Sequence, residues 1–323
     1  MKLSRLPLAC LIVSLTAGIS RTEASHGFQR ADAEKQAALM QPVCVLPYGQ
    51  TIGLSDLAPK SLLSNWASRL SSKLPLSLVS IPATHDAGTA LGRTGWTRCQ
   101  VLTLPAQLAL GVRGFDIRLR LVKNELSVYH GEESQKLSFQ EVIDAFSEFL
   151  EKHPKEFLVM RIREESKAVD STETFEEAFA KAAGSTSLGK LLYVASSRTE
   201  IPTVGKVRGK IVLLDNYGKL PNAIDYPNPT MGVQDDYDTS DMDKKYAEIV
   251  SKFQDALAEQ EGTIWEVNYT SSSTLQVDQL ANAKAVNAKV VKYLKDCKGH
   301  LGMVFMNFPG TEEIRSIVQS NFK

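Results

Sequence analysis

The sequence predicts an α/β fold in which one mainly parallel sheet curls into an imperfectly closed (βα)8 barrel clad in helices. Three observations predict it. Apolar runs of strand length alternate with segments of helical periodicity along the chain. Several of the runs, such as Lys210–Leu214 (KIVLL), are apolar on both faces, as strands covered on both sides must be. No linker rich in Gly, Pro or Ser divides the seven or eight strands, so one barrel accounts for the chain better than two domains.

The elements follow in order. Residues 1–24 read as a secretory signal peptide: Lys2 and Arg5 precede the apolar stretch Leu6–Gly18, and small residues up to Ala24 resemble a cleavage site. A secreted, extracellular protein is therefore expected. The apolar stretch is shorter than the ~20 residues that a membrane span requires. Residues 25–52 are polar and irregular, an N-terminal extension ahead of a barrel spanning residues 53–323. Leu62, Trp66 and Leu70 recur at helical spacing. The apolar run Leu76–Ile81 reads as the first strand, and Leu104–Leu110 as a short helix. Gly114–Leu121 (GFDIRLRL) and Leu126–His130 read as the second and third strands, with a turn at Asn124–Glu125. Phe139–His153 repeats Val142, Phe146 and Leu150 on one helical face and stops at Pro154. Phe157–Arg163 is the fourth strand. Further helices are expected at Glu173–Ala183, Met242–Glu261 and Gln276–Lys295, and further strands at Lys210–Leu214, Thr263–Tyr269 and Leu301–Asn307.

Composition narrows the function classes. Lys+Arg and Asp+Glu both number 37, so nothing global favours nucleic acid as a partner. Once Cys10 leaves with the signal, Cys44, Cys99 and Cys297 remain. They permit one disulfide and one thiol, with the pairing open. No CxxC occurs, which argues against metal ligation by cysteine. Asn268-Tyr269-Thr270 matches a glycosylation acceptor.

The ionisable residues carry the chemistry. In a (βα) barrel, active sites lie at the C-terminal ends of the strands. His85 and Asp86 follow the first strand, Asp116 and Arg118 share a face of the second, His130 ends the third, and Arg161 and Arg163 share a face of the fourth. Buried, unpaired charges cost several kcal/mol, roughly, so such clustering calls for a function. Two imidazoles and a guanidinium suit displacement at a phosphodiester. His85 would take a proton as base, His130 would give one as acid, and Arg118 would clamp the phosphate. Asp86 and Asp116 would hold an imidazole or the guanidinium. His26, His153 and His300 are read as structural.

The stretches SIPATHDAGTA, QLALGVRGFDIRLR and YHG resemble the X-type catalytic domain of phosphatidylinositol-specific phospholipase C, in particular its small, single-domain bacterial type. NWASRL, RGKIVLL, VQDDY, VNYTSSS and GMVFMNF extend the resemblance over roughly residues 60–310. It implies a distorted TIM barrel and a lyase that converts phosphatidylinositol to diacylglycerol and inositol 1,2-cyclic phosphate. The attacking hydroxyl is tethered beside the phosphate, which raises its effective molarity. By this resemblance His85 is the general base, His130 the general acid and Arg118 the phosphate ligand, with Asp86 and Asp116 in support. Arg163 and Asp235 would contact the inositol, and Tyr237 would stack on it. Calcium-dependent relatives place an acidic ligand where this chain has Arg118. A fixed positive charge there opposes Ca²⁺, so no metal and no cofactor are expected.

Two positions depart from the bacterial pattern. Asn307 stands where an aspartate partners the base, and an amide orients an imidazole without stabilising its charge. Asn216 stands where an arginine binds inositol hydroxyls, which leaves room for a glycosylated head group. The alternatives are an inositol-lipid-binding protein with weakened turnover and a metal-dependent glycerophosphodiesterase-like enzyme. The expected partner is phosphatidylinositol in membranes, met by a monomer through Trp66 and Trp96.

Overall fold

The computed structural model describes residues 63–92, 96–273 and 279–323, together with the backbone of two short strands, β1 (Val43–Val45) and β2 (Thr51–Gly53). The signal segment, His26 and Leu62 lie outside the described residues. β1 and β2 pair antiparallel, a hairpin reaching into the stretch expected to be irregular.

Eight parallel strands form the curled sheet. They are β10 (Met231–Gln234), β11 (Trp265–Tyr269), β12 (Met303–Met306), β3 (Ile81–Thr84), β4 (Gly114–Val122), β7 (Leu158–Glu164), β8 (Ile211–Asp215) and β9 (Ile224–Asp225), in that spatial order. β9 and β10 are neighbours in sequence but do not pair, so the barrel is open between them. The expected imperfect closure is located at this seam.

The first strand lies further along the chain than the apolar pattern indicates. Leu76–Leu78 forms a 3₁₀ turn after Pro75, and the strand is Ile81–Thr84, with Pro82 inside it. Proline is normally kept out of central strands because it has no N–H to give. Here the Pro82 carbonyl still accepts from the Arg113 N–H at 2.9 Å. The shift puts His85 directly at the C-terminal end of β3.

The third predicted strand is not a barrel strand. β5 (Glu125–His130) runs antiparallel to the far half of β4 and pairs with β6 (Glu133–Ser138), while the near half of β4 pairs with β7. The long β4 thus serves the barrel and then a hairpin that folds back over the strand ends.

Helices cover the outside. α1 (Leu104–Leu110) ends on Gly111 at φ +110°, a conformation that favours glycine. α2 (Phe139–Lys152) begins with a Ser138/Glu141 capping box and buries Val142, Phe146 and Leu150. α3 (Phe175–Ser185), the short α4 (Leu188–Leu191) and α5 (Val204–Val207), α6 (Met242–Ala258), α7 (Gln279–Leu294) and α8 (Thr311–Ser320) complete the layer. Alternate β4 residues face opposite ways: Phe115 meets Phe146 of α2 at 4.7 Å between ring centroids, and Asp116 and Arg118 face inward.

The N-terminal end of the barrel is plugged by a buried ion pair. Glu156 accepts from Arg113 at 2.8 and 2.9 Å and from the backbone N–H groups of Ala67 and Ser68. Trp66 belongs to this plug. Its indole N–H donates to the Gly111 carbonyl at 2.8 Å, its ring meets Phe157 edge-on, and only 2% of it is exposed. The expected membrane contact through Trp66 is therefore corrected: the residue is core. Asn268 is also fully buried in β11 and its amide donates to the Ile249 carbonyl, so it cannot carry a glycan in the folded chain. Cys99 and Cys297 are both buried free thiols, and the side chain of Cys44 lies outside the described residues.

Candidate active site

The loop after β3 is fastened before it does any chemistry. The His85 N–H donates to the Met306 carbonyl, and the Gln100 amide donates to the carbonyls of both His85 and Met306. Asp86 takes φ +47°, a left-handed conformation that an aspartate tolerates better than most residues. The turn directs the Asp86 carboxylate inward, where it is almost fully buried.

That carboxylate lies among the three groups singled out from the sequence. Its Oδ1 lies 2.9 Å from Arg118 Nε, and its Oδ2 lies 3.6 Å from His85 Nε2 and 3.7 Å from His130 Nδ1. Asp116 supports from below: Oδ2 accepts from Arg118 Nε at 3.0 Å, and Oδ1 accepts from Arg161 Nη1 at 2.5 Å. Burial alone would raise the pKa of Asp116, but Arg118 and Arg161 outweigh it and hold the carboxyl below the usual carboxylate range. Burial would likewise lower Arg118, and Asp116 and Asp86 push it up instead. The guanidinium is therefore a fixed charge.

His85 is prepared as a proton acceptor. Burial lowers its pKa to about 4, against the opposing pull of Asp86. Its Nδ1 lies 2.9 Å from Asn307 Oδ1, so Nδ1 carries the proton and Nε2 keeps a lone pair, on which Arg118 Nη2 donates at 2.6 Å. His130 arrives from the hairpin. Its Nδ1 donates to the Thr97 carbonyl at 3.1 Å, which leaves Nε2 for the cleft. Gly131 follows at φ +58°, and its N–H donates to Glu165 at 2.9 Å, tying the hairpin back to the end of β7.

A cleft of about 440 Å³ opens above these groups. His85, Arg118, His130, Arg163, Asp235, Tyr237 and Asn307 all line it, with Trp96, Ser271–Ser273 and Gln279. Asp86 and Asp116 lie behind the lining, where supporting groups belong. Asp235 lines this wall, and desolvation by the groups around it pushes its pKa up to about 6. Every residue proposed from the sequence is thus gathered at one place except Trp66. His153 caps α2 against Phe149, and His300 sits in the loop before β12.

Sequence reasoning missed Glu165, Gln279 and Cys99. Glu165 sat two residues beyond Arg163, on the same face, and that spacing could have found it. Gln279 and Cys99 carry no local signal. Arg161 also has an unanticipated setting: it bridges Asp116 and Asn216 and lies over the Tyr226 ring at 4.8 Å.

Ligand atoms of His85, Asp86 and Cys99 approach within 4.8 Å of one another, close enough to share a metal ion. The donor set does not suit one. Burial pushes the Cys99 thiol well up, so it stays protonated and donates to Gln279. Arg118 already contacts both the Asp86 carboxylate and His85 Nε2.

Known proteins share this fold and part of the sequence behind it. Residues 73–217 match the family described as phosphatidylinositol-specific phospholipase C, X domain. The chain is 30% identical over 279 residues to a 1-phosphatidylinositol phosphodiesterase of Listeria monocytogenes, covering 79% of this chain and 84% of that one. It is 30% identical over 186 residues to a Staphylococcus aureus protein of the same name, covering 56% and 59% of the two chains. Among solved structures, the phosphatidylinositol-specific phospholipase C of L. monocytogenes superposes with a TM-score of 0.72 at 26% identity, over 81% of this chain and 99% of that one. An S. aureus counterpart gives 0.72 at 25% identity, over 82% and 99%.

Proposed function

The chain belongs to the phosphatidylinositol-specific phospholipase C X-domain family and is an enzyme of phospholipase C type acting on phosphatidylinositol, and we propose that it is a metal-independent lyase. The observation that supports this reading is the convergence of His85, His130 and Arg118 around the buried Asp86 at the floor of one cleft.

His85 Nε2 takes the proton from the inositol 2-hydroxyl, whose oxygen attacks phosphorus. The bond from phosphorus to the diacylglycerol oxygen breaks. His130 delivers a proton to that oxygen, and inositol 1,2-cyclic phosphate and diacylglycerol leave. Arg118 holds the non-bridging oxygens, exchanging its contact with His85 for the phosphate. Asp86 and Asp116 keep the guanidinium in place. Arg163 and Asp235 bind inositol hydroxyls, and Tyr237 stacks on the ring. Asn216, engaged with Arg161 and the Tyr226 carbonyl, offers no charge to the sugar, which fits phosphatidylinositol or its glycosylated forms. The protein acts as a secreted monomer at the membrane surface, after loss of residues 1–24.

The test is diacylglycerol release from phosphatidylinositol vesicles, with the cyclic phosphate followed by ³¹P NMR, with and without chelator. Release at the same rate in both, and none from a His85→Ala variant, is expected. Parent release no greater than that of His85→Ala would sink the lyase reading. Loss with chelator alone would sink metal independence.

A further inference from the structure

We infer that Gln279, the first residue of α7, is a positioning residue that selects the proton-accepting tautomer of His85 by dictating which way the Asn307 amide faces. This rests on the reading of His85 as the base and deepens it.

A carboxylate beside an imidazole can only accept, so it selects the tautomer by itself. An amide has a donor end and an acceptor end of nearly the same shape. If Asn307 turned its NH₂ toward His85, Nδ1 would have to accept and the proton would move to Nε2. His85 would then have no lone pair in the cleft. Arg118 also donates to Nε2, but it gives up that contact when it turns to the phosphate. From then on something else must fix the amide, and the structure shows a chain of contacts that does so.

The chain starts at a group with no choice. The Trp96 backbone carbonyl can only accept, and Gln279 Nε2 donates to it at 2.7 Å. This directs Gln279 Oε1 inward, where the Cys99 thiol donates to it as well. With its oxygen so placed, Gln279 accepts from Asn307 Nδ2 at 3.4 Å. The Asn307 oxygen is left facing His85 Nδ1 at 2.9 Å. Nδ1 must donate, and Nε2 presents its lone pair beside Arg118. Each link is directional, so a backbone carbonyl on the rim determines the protonation pattern of a ring on the floor. Gln279 and Asn307 are both nearly fully buried, so water does not compete for these contacts.

The experiment reads the tautomer directly, without substrate, in an Arg118→Ala background that removes the other donor to Nε2, while kcat is read with Arg118 in place. ¹⁵N NMR of histidine-labelled protein shows which ring nitrogen of His85 is protonated, with the resonance assigned by its loss in His85→Ala. The parent should carry the proton on Nδ1. Gln279→Met, which removes the acceptor, should move a substantial share to Nε2 and lower kcat roughly a hundred-fold with KM within about twofold. Gln279→Glu keeps an acceptor for Asn307 and should keep the Nδ1 proton. Should the Met variant fail to fold, Gln279→Asn, one methylene too short to reach, is read the same way. An unshifted His85 in folded Gln279→Met or Gln279→Asn, or a parent already protonated at Nε2, overturns the inference. Failure of the lyase reading would instead appear as no turnover by a parent with the expected tautomer.

Discussion

At the scale of single residues, the departure at Asn307 becomes a quantitative question. An amide that holds the right tautomer lacks only the charge that would stabilise imidazolium. Hydrogen bonds to charged groups exceed neutral ones by about 1.4 kcal/mol, roughly tenfold in rate. Asn307→Asp is therefore expected to raise kcat by up to about tenfold. Steady-state rates on phosphatidylinositol vesicles check this, and an unchanged or lower kcat would mean that position 307 does not partner the base. The pH dependence of stability follows from His85 itself. Its pKa is about 4 in the folded protein against 6.5 when exposed. Between those values the unfolded chain holds the extra proton, so the contribution is complete above about 6.5 and is lost as pH falls toward about 4. It amounts to a few kcal/mol. Urea unfolding of the parent and of His85→Phe between pH 4 and 7 checks it: the parent should lose stability in this window more steeply than the variant.

At the scale of elements, the hairpin shows both what the sequence discloses and what it hides. Leu126–His130 was read correctly as a strand after the Asn124–Glu125 turn, and the histidine at its end was a sound candidate. Nothing local distinguishes a strand that joins the barrel from one that folds back on its predecessor, because the choice depends on which edge is free once β7 has paired with β4. The same limit applies to the first strand, where an apolar run pointed to an early boundary. Trp66 was misplaced because an amphipathic stripe looks the same whether it faces lipid or a plug of Arg113 and Glu156. Gln279 was unreadable since its meaning comes from three segments that meet only in the fold. The plug yields its own prediction. Glu156 joins the turn before β7, the 3₁₀ turn at Ala67–Arg69 and the entry to β4. Glu156→Ala would leave the Arg113 charge buried and unpaired at a cost of roughly 3–5 kcal/mol. Thermal unfolding should shift down by roughly 10 °C, while kcat of the folded fraction at low temperature stays that of the parent. A Tm within about 2 °C of the parent would mean that water reaches and solvates Arg113.

At the scale of the whole molecule, the barrel separates stability from contact with substrate. Trp66 and the ion pair lie at the N-terminal end of the strands, and the cleft lies at the other. Exposed apolar bulk gathers near the cleft: Trp96 is 46% exposed and Tyr237 61%, both line it, and the exposed Leu280 follows the cleft-lining Gln279. No helix among the described residues is long and apolar enough to cross a membrane. A half-exposed indole is suited to meeting lipid at a surface, since its ring enters the interface while its N–H stays hydrated. Trp96 buries on the order of 50–100 Å² in such a contact, which at about 25 cal/mol per Å² corresponds to roughly tenfold in affinity. Trp96→Ala should therefore weaken binding to phosphatidylinositol vesicles about tenfold, measured by sedimentation, and leave turnover of a soluble short-chain phosphatidylinositol within about twofold. Trp66→Ala should do the opposite, lowering Tm through a core cavity worth roughly 3–5 kcal/mol with vesicle affinity unchanged. The two tryptophans were alike as sequence candidates, so the pair is its own control. Equal vesicle affinity for the parent and Trp96→Ala would remove the cleft rim as the membrane surface.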